Sequence, residues 1–217
     1  MERRKFLTTT FLGITGLVLA PTQIISCTVL KSKSNINQDL ETTLKEESKR
    51  YNSWVHYALK QSKKEKVILI NKSKYTLDIL ANAKIIKRYP IKLGFDSIDD
   101  KWMQGDGCTP EGIYAADIKL PLGKATYYKA ININYPTPDN WKNFNKRKAD
   151  GIIPPNATIG GAIEIHGTGP EEKGIDKKTN WTSGCIAVSN TDMDTIYENV
   201  NIGTPIIIVS YTTVAYK

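Results

Sequence analysis

From Lys66 onward the chain is a succession of short runs of Ile, Val, Leu and Tyr, each closed by a turn signal. The runs are VILIN, YTLDIL, IIKRYPIKLGF, GIYAADIKL, YYKAININY, IGGAIEIHG, GCIAVSN and TPIIIVSY. Branched and aromatic side chains of this kind fit a pleated, half-buried surface, and the runs have strand length. Asn71-Lys72-Ser73, Ala81-Asn82-Ala83 and Pro121-Leu122-Gly123 supply the breaks. VILINKSKYTLDILANAKIIKRYPIKLG reads as successive antiparallel strands joined by tight turns. This pattern restricts the chain to a mainly β fold, and no internal repeat subdivides it. With 217 residues, of which 40% are apolar, there is material for one good-sized core plus appended segments.

Two helices are expected outside the strands. From Asn37 to about Lys64, Leu40, Leu44, Glu47, Tyr51, Trp54-Val55 and Ala58-Leu59 recur at helical spacing, and Glu46-Arg50 adds an i,i+4 pair. His56 lies in this amphipathic segment as a packing or surface residue. TDMDTIYENVNIG reads as a short helix with Thr191 or Asn190 as N-cap, aspartates in its first turn and Gly203 at its end. Residues 136–158, rich in Pro, Asn and Lys, read as a long excursion with one helical turn near Trp141 to Lys148.

The N-terminus, MERRKFLTTTFLGITGLVLAPTQIISC, has a basic start and an apolar stretch from Phe11 to Ala20. That stretch is short for a spanning helix and reads as an export signal. Arg3-Arg4-Lys5-Phe6-Leu7 resembles a twin-arginine signal. Ile24-Ile25-Ser26-Cys27 resembles a bacterial lipobox, which implies a lipid anchor through Cys27; ordinary cleavage nearby, or retention of the apolar stretch as an anchor, are the alternatives. The organisation is therefore 1–27 export signal, 28–64 polar tether and helical segment, and 65–217 β-rich domain, located in the bacterial cell envelope. The net charge of +8 comes from scattered lysines without a nucleic-acid-binding motif, and suits an acidic envelope polymer or simple solubility.

An oxidising compartment sharpens the question of the cysteines. Beyond Cys27, only Cys108 and Cys185 remain. Either they form a disulfide or one is a thiolate that stays free. Cys185 follows Gly184, and His166, one of two histidines, precedes Gly167. A thiol near its ordinary pKa of ~8.5 needs a base, and a histidine brought beside it supplies one. Gly184 allows a sharp turn that aims the Gly184 and Cys185 amides at a developing oxyanion. The Gly167 carbonyl can accept a hydrogen bond from the imidazole and fix its tautomer. A buried His and a buried Cys in an ordinary core is the competing reading. A zinc site lacks further ligands at a recognised spacing, and no metal or organic cofactor is expected. Papain-like folds place Cys before His, and sortases separate the two more widely.

His166-Gly167-Thr168, a loop, then Thr182-Ser183-Gly184-Cys185-Ile186 resembles the active-site signature of the L,D-transpeptidase (YkuD-type) family. GDGCTPEGIY, ININYPTPD and GGAIEIHG place the resemblance closest to its YafK-like branch, over about residues 66 to 210. The resemblance implies a β-sandwich or barrel-like domain and a thioester acyl-enzyme on peptidoglycan stem peptides. Cys185 is then the nucleophile, His166 the base, Gly167 its orienter, and Gly184 with Cys185 the oxyanion donors. Thr182, Ser183, Trp181 and Asn190 become candidate substrate contacts. The acyl group passes to an amine, making a crosslink, or to water. The YafK-like branch implies the second outcome and a peptidoglycan-linked lipoprotein as partner. Two positions depart from the family: Ser183 stands where many members have His, and Ala187 where many have Arg. A non-catalytic peptidoglycan-binding lipoprotein on the same scaffold is the remaining alternative. Thr109-Pro110-Glu111-Gly112 reads as a turn, and Cys108 as a packed thiol.

Overall fold

A computed structural model describes residues 45–46, 48–169 and 180–211. The export signal, the lipobox with Cys27 and the tether lie outside the described residues, as does most of the loop between His166 and Cys185. The expected N-terminal helix is present as α1, residues 48–61. No helix among the described residues is long and apolar enough to cross a membrane.

Eight strands follow: β1 (Val67–Asn71), β2 (Thr76–Ala81), β3 (Lys84–Pro90), β4 (Gly112–Leu120), β5 (Ala130–Ile133), β6 (Glu164–His166), β7 (Ile186–Ala187) and β8 (Pro205–Val209). Two more helices, α2 (Pro138–Ala149) and α3 (Asn190–Asn199), lie between them. The sheet order is β3-β2-β1-β8-β4-β5-β6-β7. β1, β2 and β3 are the antiparallel meander that the turn signals specify. Asn82 and Ala83 both have positive φ (52° and 58°), the mirror-image turn geometry that matches strand twist. Beyond β3, Lys92 bridges Ala187 and Gly94 bridges Thr182, so the chain leaving one sheet edge reaches the strand at the other. The sheet is thereby curled towards a barrel.

β1 and β8 are a parallel pair in its middle, apolar on both faces. Ile68, Ile70, Ile206 and Ile208 enter the main core with Leu77, Ile79, Ile131, Ile165 and Ile186. Val67, Leu69, Ile207 and Val209 face the other way, under Trp54, Val55 and Leu59 of α1. Burial on both sides explains why VILIN and PIIIV are continuous rather than alternating runs.

Four local expectations change. α2 is a helix of 12 residues, not one turn: Thr137 and Asn140 form a capping box, and Pro138 opens the helix. The N-cap of α3 is Ser189, whose hydroxyl accepts from the Asp192 amide, rather than Asn190 or Thr191. That helix closes at Asn199 with Val200 as C-cap, and Gly203 belongs to the turn before β8. Thr109-Pro110-Glu111 is not a turn but a buried segment without one. It is fixed from below by Lys72, whose Nζ donates to the carbonyls of Asp99 and Thr109 and to the Glu111 carboxylate.

Candidate active site

β6 alternates in a simple way. Ile165 points into the core, so Glu164 and His166 point to the opposite face. β6 and β7 run parallel with Ile165 opposite Ile186 and His166 opposite Ala187. Cys185, one residue before β7, therefore stands beside Glu164 on the face that carries His166. The two halves of the sequence signature meet on neighbouring strand ends.

His166 is 1% exposed. Its Nδ1 lies 2.6 Å from the Gly167 carbonyl. A carbonyl only accepts, so the ring proton is on Nδ1 and Nε2 carries the lone pair. That Nε2 is buried and has no hydrogen-bond partner. Tyr127 stacks on the imidazole at 4.6 Å between centroids and 17° between planes. Trp181 meets it edge-on at 5.8 Å, and Tyr127 at 5.4 Å. Burial pulls the imidazole pKa below its ordinary value, and the Gly167 hydrogen bond opposes this.

The Cys185 thiol is pushed up to about 11. Burial is the main cause; a hydrogen bond from the Glu164 backbone opposes it and the Glu164 carboxylate adds to it. The thiol points at the Ala162 carbonyl, Sγ to O 3.6 Å. Ala162 has φ 53°, a left-handed conformation unusual for a residue with a Cβ. Burial thus favours the neutral form of both the thiol and the imidazole, and the ring proton sits on Nδ1.

The turn into Cys185 depends on glycine. Gly184 has φ 130°, and a Cβ there would come 2.7 Å from the Cys108 carbonyl oxygen. Thr182 shapes the same turn: its hydroxyl donates to the Cys185 carbonyl (2.7 Å) and accepts from the Gly184 amide (3.2 Å). The Gly184 amide, expected to serve an oxyanion, is thus already engaged. The Cys185 amide has no acceptor among the described residues and is the available donor.

Of the expected substrate contacts, Ser183 is exposed, Trp181 is half-buried against His166, and Thr182 is buried in the turn. Asn190 straps the loop after His166, accepting from the Thr168 amide (3.0 Å) and donating to the Gly169 carbonyl (2.7 Å). A Cβ on Gly167 would collide with this Asn190 oxygen at 2.5 Å. Glycine at that position lets the strap close over the histidine. Cys108 and Cys185 are both free. Cys108 is buried, its thiol is pushed by burial up to about 12, and Sγ faces the Asp106 carbonyl at 3.5 Å. Among the described residues, no three His, Cys, Asp or Glu side chains converge as metal ligands would. Tyr127, Glu164 and Ala162 also lie at the site; Ala162 and Glu164 fall within the GGAIEIHG run, but nothing in the sequence marks any of the three individually.

Residues 65–208 match the L,D-transpeptidase catalytic domain, YkuD. The chain belongs to the YkuD family. Among solved structures, the helical cell shape determining protein Pgp2 from Campylobacter jejuni matches with a TM-score of 0.51 and 20% identity, over 75% of this chain and 57% of that one. Bd1075 from Bdellovibrio bacteriovorus matches at 0.49 and 24%, over 71% and 52%. An L,D-transpeptidase from Mycobacterium smegmatis matches at 0.45 and 18%, over 66% and 58%. This chain thus spans a little over half the length of each. No curated protein sequence matches it. None of these likenesses singles out the YafK-like branch. In this YkuD domain Ala187 is fully buried, and its amide and carbonyl both pair with Lys92. The position where the family resemblance leads one to expect Arg is here buried.

Proposed function

We propose that this YkuD-family protein is a cysteine acyltransferase that cuts and rejoins amides of peptidoglycan stem peptides. The observation that carries the proposal is the tautomer lock. The Gly167 carbonyl holds the Nδ1 proton and leaves the buried Nε2 lone pair unpaired on the face of the sheet that bears Cys185.

The chemistry runs in two stages. Nε2 of His166 takes the thiol proton as Sγ of Cys185 attacks the amide carbonyl carbon. The negative charge that forms on the carbonyl oxygen is met by the Cys185 amide. The intermediate collapses, the C–N bond breaks, and the imidazolium returns its proton to the departing amine. A thioester on Cys185 remains. An incoming amine, deprotonated by Nε2, then attacks the thioester and regenerates the thiol. Water in place of the amine gives hydrolysis. Tyr127 and Trp181 wall the imidazole from solvent, which strengthens each charge interaction at the moment of transfer.

The same reading locates the protein in the cell envelope, with residues 1–27 directing export and Cys27 as an optional lipid anchor. The test is incubation of the purified protein with peptidoglycan fragments and mass analysis of the products. New crosslinked species are expected with the wild type and none with Cys185→Ala. Shortened stems or a released lipoprotein tail identify the hydrolytic outcome that the YafK-like resemblance implied. Equal product from Cys185→Ala would sink the mechanism.

A further inference from the structure

One row of side chains crosses the active face of the sheet and ends at the nucleophile. Ile118 of β4 is opposite Asn132 of β5. Asn132 is opposite Glu164 of β6. Glu164 is beside Cys185 by the parallel register of β6 with β7. The alternate residues Ile131, Ile133 and Ile165 face the core, so this row faces outward. Neighbouring strands are about 4.8 Å apart, so the row extends roughly 14 Å from Cys185 to Ile118.

Two members of the row are acceptors without a donor. Among the described residues, no Lys, Arg or His forms a salt bridge with Glu164, and no hydrogen bond reaches its carboxylate. Asn132 Oδ1 is buried and has no partner. The Ile133 amide bonds to the Ile163 carbonyl, so the adjacent Asn132–Glu164 pair falls at a non-hydrogen-bonded position, where cross-strand side chains approach most closely. A half-buried carboxylate and a buried amide oxygen, side by side, are both short of a positively charged donor.

We propose that Glu164 and Asn132 form a subsite for a primary ammonium group of the peptide substrate, one strand away from the attacking sulfur. The proposal rests on the acyl-transfer reading above and specifies its substrate. An ammonium has three donors, enough for both acceptors and a further contact. It also neutralises the carboxylate that disfavours a thiolate at Cys185. Substrate binding and nucleophile activation are thereby coupled: the thiol ionises more readily when a cationic substrate is in place. In keeping with an unpaired site, burial alone raises the Glu164 carboxyl above its ordinary value. Ile118, 48% exposed at the far end of the row, offers an apolar contact beyond the ammonium.

The ammonium belongs either to the acylated chain or to the amine acceptor, and one experiment separates the two. Two stem peptides are compared, one with a free side-chain amine and one with that amine acetylated. Acyl-enzyme formation and its partition between an added amine and water are followed in wild type, Glu164→Gln and Glu164→Asp. If the donor chain carries the ammonium, wild type acylates about tenfold or more faster with the free amine, Glu164→Gln loses the preference and Glu164→Asp retains part of it. If the acceptor carries it, acylation is indifferent and Glu164→Gln lowers the ratio of transfer to hydrolysis by a similar factor. In both cases, Glu164→Gln speeds alkylation of Cys185 by a neutral reagent at fixed pH, a readout that a misfolded variant does not mimic when its thermal melt is unchanged. Unaltered preference and partition in Glu164→Gln overturn the subsite. If wild type forms no adduct with either peptide, the acyl-transfer reading fails instead. Calorimetric binding of the same two peptides then decides the subsite: a free-amine preference lost in Glu164→Gln supports it, and equal binding overturns it.

Discussion

The proposed nucleophile, Cys185, is held in its protonated form by its surroundings. Its thiol is pushed up to about 11, chiefly by burial, while burial pulls His166 down. A stable thiolate–imidazolium pair would need the opposite shifts. Alkylation of Cys185 by a neutral reagent, without substrate, should therefore be slow near neutral pH. It should climb about tenfold per pH unit towards the thiol pKa. A rate already at its plateau near pH 7 would mean a resting ion pair. At this scale the sequence marked out the two pairs that the fold brings to neighbouring strand ends, because Gly167 and Gly184 sit where a Cβ would collide with its surroundings. It was silent on Tyr127 and Glu164. An aromatic ring against an imidazole, or a carboxylate one strand from a thiol, arises from register between strands distant in sequence, and leaves no local pattern. The engagement of the Gly184 amide was illegible for a related reason. The hydroxyl that occupies it belongs to Thr182, and only the folded turn brings the two together.

At the scale of elements, the site is held by a strand end, a glycine turn and a helix N-terminus. Ser189 caps α3, and the first residue of the helix, Asn190, straps Thr168 and Gly169 beside His166. The cap thus does more than start a helix, since it positions the strap. Ser189→Ala should lower stability by about 1 kcal/mol, a drop of roughly 2–4 °C in a thermal melt. Turnover should fall further than that loss of folded protein explains. A melt unchanged within a degree would remove the cap from the account. Strand identities were legible in the runs of Ile, Val and Tyr, and so was the β1–β2–β3 meander. Strand lengths were not: YYKAININY contributes only Ala130–Ile133 and IGGAIEIHG only Glu164–His166. The length of α2 is hidden by its Asn and Lys content, which resembles a loop, while the Thr137–Asn140 box and Pro138 are the sequence signals that start it.

For the whole molecule, the two faces of β1 and β8 are decisive. One faces the barrel-like core behind the active site; the other is covered by α1. The strands and the helix before Lys64 were each legible in the sequence, but that the helix covers the second face of β1 and β8 required the structure. A second tie is Lys72, wholly buried and bonded to Asp99, Thr109 and Glu111, with Glu111 also held by Arg50 of α1 at 2.9 Å. It joins helix, sheet and the segment whose Cys108 carbonyl fills the space beside Gly184. Lys72→Met should cost about 3 kcal/mol, read as a lowered denaturation midpoint, because it leaves a buried carboxylate short of its partner. Stability equal to wild type would show that Glu111 and the two carbonyls are satisfied without the lysine.

The central claim is that one sulfur on this sheet becomes acylated by a peptidoglycan stem peptide. The most direct measurement is digestion and peptide mass mapping after brief exposure to such a peptide at mildly acidic pH, where thioesters persist. An adduct is expected equal to the stem peptide less its leaving amine, on the peptide containing Cys185, cleaved by hydroxylamine and absent from Cys185→Ala. An adduct on any other residue, or one that survives in Cys185→Ala, would contradict it.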